Sequence, residues 1–452
     1  MVEHNRKLWD AVGEKKLDWF RDESVWAEAM GRGLERGVSP KVLQEFGDSD
    51  YRNKVIDRIL NGDYNILPPR VAFIPKDDGS YREVLINEDH DRVILSVIYH
   101  IWYDIYHTSI HPNCKSYLRG TGTSSICKEI NRQLIEIKRN NPTVVGYKVD
   151  IRKYFDSLPK EALIGLLNSI SSNTALDDMI LRYYQDDRIW QPIEDLPDDV
   201  DISTVQTKEI NSRKFFLKDR YKSIAQGCAL SALIANLALK EIDEVMTDSC
   251  LLYVRYSDDM LFYTNNPDLV WFKLNTYLAK YGLKLHPDKV KLCGDDFEFL
   301  GSRFYKNELR YGSKFIKNTK AELRKYFAVD NDKLLDDRYV AKQIRKFQRY
   351  KLGSIRQRLK HTKDEQYSWL IKAFSSVTDI EQIIWLDYLC KDTIRHMYTG
   401  SWNHKYNYAM LPNDKLEKLG WVNLAHLWNF YKIDKNFYTD EIQKILNRNL
   451  DI

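Results

Sequence analysis

Two adjacent carboxylates, Asp258 and Asp259, follow Tyr256 and Ser257 and stand between the apolar runs Leu251-Leu252-Tyr253-Val254 and Met260-Leu261-Phe262-Tyr263. That pattern predicts a β-hairpin with acid at its tip. Neighbouring negative charges repel, and burial raises their pKa values unless a cation neutralises them. A divalent metal does so, and hard oxygen donors favour Mg²⁺, with Mn²⁺ as its substitute. The tetrapeptide alone fits a solvated turn equally well, since Asp is a common turn former. A third carboxylate upstream favours chemistry. Asp150 ends the run Val144-Val145-Gly146-Tyr147-Lys148-Val149, whose β-branched and aromatic residues predict a strand. Paired beside the hairpin, that strand would bring three carboxylates to one sheet edge. Such a cluster can hold two Mg²⁺ ions about 3.5–4 Å apart, the arrangement that serves phosphoryl transfer. Taken by itself, Asp150 is equally a helix N-cap before residues 152–158.

In chain order, Asp150-Ile151-Arg152-Lys153-Tyr154-Phe155-Asp156, Gln226-Gly227-Cys228-Ala229-Leu230-Ser231 and Tyr256-Ser257-Asp258-Asp259 resemble the three central palm motifs of reverse transcriptases. The resemblance is to the bacterial lineage of group II intron maturases, retron enzymes and antiphage defence-associated reverse transcriptases. Lys76 to Arg82 with Asp91-Arg92-Val93, and Ser116-Tyr117-Leu118-Arg119-Gly120, resemble fingers segments. Gly282 to Lys289 and Phe299-Leu300-Gly301 resemble the closing palm segments, so the likeness covers residues 67–305. It departs from the pattern at Ala225 and Ala232, where relatives carry proline, and at Ser257, where alanine is more frequent. The lost prolines put the rigidity of that loop in question.

The implied fold is α+β: a right-hand polymerase with fingers, an antiparallel-sheet palm, a helical thumb and helical extensions at both ends. We expect a helical N-terminal extension over 1–66, fingers and palm over 67–305, a basic thumb over 306–395 and a helical C-terminal unit over 396–452. Pro68-Pro69 breaks the helical pattern and opens a strand at 70–74, and 91–105 carries an apolar stripe at helical spacing. Another helix starts near Ser231, and the acidic, proline-punctuated stretch 186–201 reads as a surface insertion. Trp9, Leu17, Phe20, Trp26 and Met30 are core anchors of the N-terminal helices, and the aromatics after 396, Trp402 among them, read as a packed core.

At 43% apolar, with a net charge of +4, the chain is that of a folded protein whose overall charge says little. Six scattered cysteines and no apolar run of membrane-spanning length point to a cytoplasmic protein with no membrane partner. Local charge is more telling. Residues 338–363 carry cations, Arg345, Lys346, Arg349, Arg356 and Arg358 among them, with Phe347 and Tyr350 interleaved and without one acid. A solvated helix face explains this less well than contact with phosphates.

The resemblance implies attack of a primer 3′-hydroxyl on the α-phosphate of a deoxynucleoside triphosphate. It assigns metal binding to Asp150, Asp258, Asp259 and the carbonyl of Ile151. Phe155 would bar a ribose 2′-hydroxyl, although on residue type it is equally a core aromatic. Lys76 and Arg82, flanking an Asp78-Gly79 turn, would grip the triphosphate, and Gln226 with Gly227 would meet the nascent pair. Lys289 would neutralise or protonate pyrophosphate, or else is a structural lysine; Asp156 would cap the helix entered at Pro159. Expected partners are dNTPs, an RNA template (a dedicated non-coding RNA in antiphage defence), the DNA product and, as an open point, a second copy of the chain. Rival readings are a template-independent or protein-primed DNA polymerase, an RNA polymerase, and an inactive nucleic-acid-binding scaffold.

Overall fold

The computed structural model describes residues 2–76, 79–210, 212–220, 223–352 and 373–433. The fold is α+β, with mostly antiparallel sheets. By packing, the chain forms two compact units, Met1–Arg119 with Val145–Leu292, and Gly120–Val144 with Cys293–Ile452. The four segments expected from the sequence are thereby regrouped. The N-terminal helices share one core with residues 145–292, and residues on both sides of position 396 share another.

In the first unit, helices Val2–Arg21, Glu23–Glu35, Pro40–Gly47 and Ser49–Leu60 precede the first strand. Phe20 and Trp26 are fully buried, as expected of core anchors, and the Trp26 indole donates to Phe20 O at 2.7 Å, so burying this amphipathic ring leaves no polar group unpaired. The helix Asp89–Tyr106 runs through the same core, burying Val93, Ile94, Val97, Ile98, Ile101 and Trp102. It was expected to have one apolar stripe; it is buried well beyond that stripe, Asp91, Ser96 and His100 included, because the N-terminal helices cover a further face.

Six strands come first: β1 (Arg70–Pro75), β2 (Tyr81–Ile86), β3 (Val145–Asp150), β4 (Arg188–Pro192), β5 (Thr207–Ile210) and β6 (Arg213–Asp219). A five-stranded sheet has the order β2-β1-β4-β6-β5. Here the reading of 186–201 as a surface insertion is corrected for 188–192: β4 is the central strand, with Ile189 and Trp190 buried, while residues 193–201 are mostly exposed. Two apolar residues between acids and prolines left too short a pattern to see. The next strands are β7 (Leu252–Tyr256), β8 (Asp259–Thr264) and β9 (Lys291–Cys293), which with β3 form a four-stranded sheet in the order β7-β8-β3-β9. Met260 and Phe262 of β8 and Val149 of β3 are fully buried, as continuous apolar runs of a covered sheet require. The helix entered near Ser231 stops at Ala238 and a second one runs from Lys240 to Ser249.

The second unit contains the helix Thr123–Asn140 and a three-stranded antiparallel sheet of β10 (Asp296–Phe299), β11 (Ser302–Tyr305) and β12 (Glu308–Tyr311). Helices Ser313–Tyr326, Asp337–Leu352, Ile380–Thr399, His404–Met410, Asn413–Lys418 and Leu424–Ile433 follow. Phe347, which the sequence offered as an aromatic interleaved among phosphate-binding cations, is core: its ring meets Phe327 at 5.0 Å and Trp421 at 6.3 Å. Among the described residues no helix is long and apolar enough to cross a membrane.

Candidate active site

Strands β3 and β8 pair antiparallel with Asp150 directly opposite Asp259, and β7 pairs β8 with Tyr256 opposite Asp259. Ser257 turns the hairpin with a positive φ of 59°, and Ile151 N donates to Asp258 O at 3.1 Å, tying the turn to the end of β3. Asp150 is thus a strand end and not a helix cap; the short helix after it, Tyr154–Ser157, begins behind Lys153. All three carboxylates sit at one sheet edge.

A third segment closes on this edge. His286 N donates to Asp150 O at 2.8 Å and Arg152 N to Lys284 O at 2.8 Å, so residues 284–286 run alongside 150–152. The Ile151 carbonyl takes part in neither bond. Just beyond, Lys289 Nζ reaches Asp150 Oδ2 at 2.7 Å while remaining half-exposed. Burial works against its charge, but the hydrogen bond and charge of Asp150 hold Lys289 above the usual lysine range. Lys148 stands 3.9 Å from Asp259. Burial first, then the charges of Asp150 and Asp259, pushes Asp258 up; burial likewise raises Asp259, against the pull of Lys148. The edge therefore retains electronegative demand that its two lysines do not meet.

Among the described residues no group of three or more His, Cys, Asp or Glu side chains is gathered to hold a metal ion unaided. The donor chemistry nevertheless suits Mg²⁺, which keeps its octahedral shell by taking one or two protein carboxylates and filling the rest from substrate phosphates and water.

Residues 74–304, a little more than half of the chain, match the model of the family described as "Reverse transcriptase (RNA-dependent DNA polymerase)". The chain belongs to that family. Similar curated proteins include an uncharacterized 91 kDa protein in the cob intron of Schizosaccharomyces pombe (strain 972), 21% identical over 60% of this chain and 38% of its own length. Protein YkfC of Escherichia coli K12 is 20% identical over 58% of this chain and 73% of its own. The chain thus spans well under half of the yeast relative. Among solved structures, apo telomerase from Candida tropicalis, truncated from its C-terminal domain, aligns with a TM-score of 0.39 at 13% identity, over 54% of this chain and 55% of that one. Telomerase from Candida albicans with a fragment of telomeric RNA gives 0.39 at 12%, over 85% and 67%.

Around the reverse transcriptase motifs, the structure locates the other expected residues. Phe155 is half-buried beside fully buried Tyr154, whose hydroxyl donates to Ala235 O at 2.6 Å; Phe155 O accepts from Ile224 N at 3.0 Å. Gly227 has a φ of 117°, and a Cβ there would fall 2.5 Å from Leu85 O. Its missing side chain thus lets the loop lie against β2, where Leu85 N donates to Gln226 O at 2.7 Å. The loop without prolines is tied instead by Ser231 Oγ, which donates to Ala225 O at 2.5 Å. Lys76 and Arg82 are both exposed on the β1–β2 hairpin, where Lys76 N donates to Ser80 O at 2.7 Å; Asp77 and Asp78 lie outside the described residues. Asp156 caps nothing: the helix Lys160–Ser169 starts at Pro159 without a side-chain cap, and Asp156 belongs to the preceding turn of helix, raised in pKa by burial. In the second unit Arg345 is half-buried and Lys346 exposed on the Asp337–Leu352 helix, which also contains Arg349; Arg356 and Arg358 lie outside the described residues.

Sequence reasoning missed Arg255. It is fully buried, and its Nε and Nη2 donate to Asp243 at 2.7 and 2.6 Å. Nη2 also reaches Asn236 O at 3.0 Å, and Nη1 donates to Ser257 O at 3.1 Å. This guanidinium holds the acidic turn from beneath. An arginine inside an otherwise apolar strand was the available signal, since a charge there must have a partner.

Proposed function

We propose that the chain is an RNA-directed DNA polymerase that extends a primer with deoxynucleotides at the β3–β8 edge. The supporting observation is the cross-strand pair Asp150–Asp259 with Asp258 in the adjoining turn, under-neutralised by Lys289 and Lys148. Asp150, Asp258, the Ile151 carbonyl and, in support, Asp259 would hold two Mg²⁺ ions. When bound, these ions supply activation of the attacking oxygen and charge stabilisation of the leaving one.

The chain's own residues do the rest. Lys289, already charged and partly exposed, stands where it can release Asp150 and neutralise the departing pyrophosphate. Phe155, anchored through its backbone and packed on Tyr154, forms a wall against a 2′-hydroxyl, and bulk of this kind needs no hydrogen bond. Gln226, fixed by the Leu85 contact, meets the nascent pair. Lys76 and Arg82 grip the triphosphate, Arg82 in a bidentate manner. The cations of the Asp337–Leu352 helix follow the template–product duplex.

We place this activity in bacterial antiphage defence, in the cytoplasm, with a cognate non-coding RNA as template. The helices outside the matched 74–304 span give the chain surfaces of its own for recognising such an RNA. The test is incubation of the purified ribonucleoprotein with each dNTP and Mg²⁺, with and without ribonuclease, followed by product sequencing. Ribonuclease-sensitive synthesis of one defined sequence is expected. Synthesis that survives ribonuclease selects the untemplated or protein-primed reading, and no incorporation at all leaves the scaffold.

A further inference from the structure

Trp402, expected to be core with the other aromatics after residue 396, is not. Trp421 and Trp428 are buried, but Trp402 is 47% exposed. It is nonetheless held rigidly. The helix Ile380–Thr399 ends on Gly400, whose φ of 72° turns the chain back on the helix. Ser401 O accepts from His396 Nδ1 at 2.9 Å and from Asn407 Nδ2 at 2.8 Å, and Asn403 caps the next helix. The Trp402 indole then stacks on His396, ring centres 3.6 Å apart, with the Arg324 guanidinium 5.3 Å from its ring centre.

Beside this stack lies a cavity of about 340 Å³, lined by Arg324, Phe327, Ala328, Val329, His396 and Trp402. The volume is at the small end of the roughly 300–1,000 Å³ that small-ligand sites occupy, which is room for one nucleobase and its sugar. Its apolar walls and half-exposed indole suit a flat aromatic ring. Its cation suits a phosphate. The approach is basic as well: the helix Ser313–Tyr326 carries Lys314, Lys317, Lys320, Arg324 and Lys325 against one acid, Glu322. Lys317, Lys320 and Arg324 are exposed at i, i+3 and i+7, one stripe that leads to the cavity.

We propose that this cavity binds one unpaired nucleotide of a single strand, its base against Trp402 and its phosphate on Arg324, while Lys317 and Lys320 follow the adjoining backbone. An apolar peptide fits the basic stripe less well, and an acidic peptide the aromatic wall in which it ends. Sequence-tolerant stacking plus phosphate contact is the usual chemistry of single-strand binding. Every lining residue of the site lies outside the 74–304 reverse transcriptase match, and the proposal rests on the polymerase reading only for the presence of nucleic acid.

The experiment uses the full chain, freed of copurified RNA, and fluorescence anisotropy with fluorescent ten-nucleotide oligo-rA, oligo-dA and a blunt duplex. Trp402→Ala should weaken oligo-rA or oligo-dA binding about 5- to 100-fold and leave duplex binding unchanged. Trp402→Phe should restore most of the loss, which a merely structural role would not predict. Arg324→Gln should weaken binding less and lower the salt slope by about 0.7, one single-strand phosphate. The ratio of the rA and dA losses identifies the strand. Unchanged single-strand affinity in Trp402→Ala with an unaltered melting temperature overturns the proposal, as does an equal loss for the duplex. Primer extension on a pre-annealed template, measured in parallel, keeps the two ideas apart. Extension with Trp402-independent binding sinks only the pocket, and Trp402-dependent binding without extension sinks only the polymerase.

Discussion

Acids on two sides of the hairpin β7–β8 have opposite fates: Asp243, on the helix Lys240–Ser249, meets side chains of β7, while Asp150, Asp258 and Asp259 gather at its tip. Asp243 is fully buried and receives two hydrogen bonds from Arg255 and one from the Tyr253 hydroxyl at 2.8 Å. Its charge is satisfied inside the protein. Asp150, Asp258 and Asp259, only a turn further along, have one lysine at 2.7 Å, another at 3.9 Å, and pKa values raised on Asp258 and Asp259. A charge matched internally is tolerated inside a fold; a charge left unmatched at a sheet edge is available to a ligand. Arg255 joins the two, since the same guanidinium that neutralises Asp243 also holds the Ser257 carbonyl.

The sharpest way to break this contrast is to remove the edge acids in one variant and the buried partner of Asp243 in another. Asp258→Ala with Asp259→Ala should lower nucleotide incorporation by about 10³-fold or more, while the urea midpoint stays level or rises because repelling charges are gone. A matching fall in stability would make the edge structural. Arg255→Met should do the reverse, costing about 3–5 kcal/mol by stranding Asp243. Adding Asp243→Leu should recover much of that stability, because a buried pair replaced by apolar residues is often tolerated. Activity should stay low in the double variant, since the turn has lost its anchor; full recovery of primer extension would deny Arg255 that role.

Buried titrating groups extend the comparison to pH. Burial, then the charges of Arg32, Arg119 and Arg36, pushes His100 down to about 3, with Arg119 donating to its Nδ1 at 2.8 Å. Because the unfolded chain takes up this proton first, the contribution is complete above pH about 6.5 and declines as pH falls, by up to about 2 kcal/mol at pH 5. Asp91 acts oppositely: burial raises it to about 6, so the folded state takes up its proton first and gains stability as pH falls through that value. Urea midpoints at pH 7 and pH 5 should therefore drop more in Asp91→Asn than in the parent, and less in His100→Asn. Equal shifts in all three would remove both groups from the balance. The smallest expected effect is at the sugar wall. Phe155→Val should raise ribonucleotide incorporation relative to deoxynucleotide about tenfold, and unchanged discrimination would return Phe155 to the core.

Legibility followed the range of the interaction. β3, the hairpin and the Asp89–Tyr106 helix were readable because each depends on residues near in sequence. The central strand β4 was not, since four of its five residues are buried, between β1, 120 positions away at the paired residue, and β6, 23 to 31 positions away. Phe347 and Trp402 exchanged expectations for the same reason: one aromatic met Phe327 and Trp421, the other a turn at Gly400 that left it at the surface.

By itself the sequence determined the order of the motifs, the period of the strands and the presence of more acid at one hairpin than a turn requires. Tertiary structure decided which acid meets which cation. Asp150 faces Asp259 through strand pairing, Lys289 arrives on a returning segment, and Arg255 turns inward to Asp243 and Ser257. Local pattern fixes backbone period, whereas charge neutralisation depends on distances of a few ångströms between residues far apart in the chain, and only the folded core sets those.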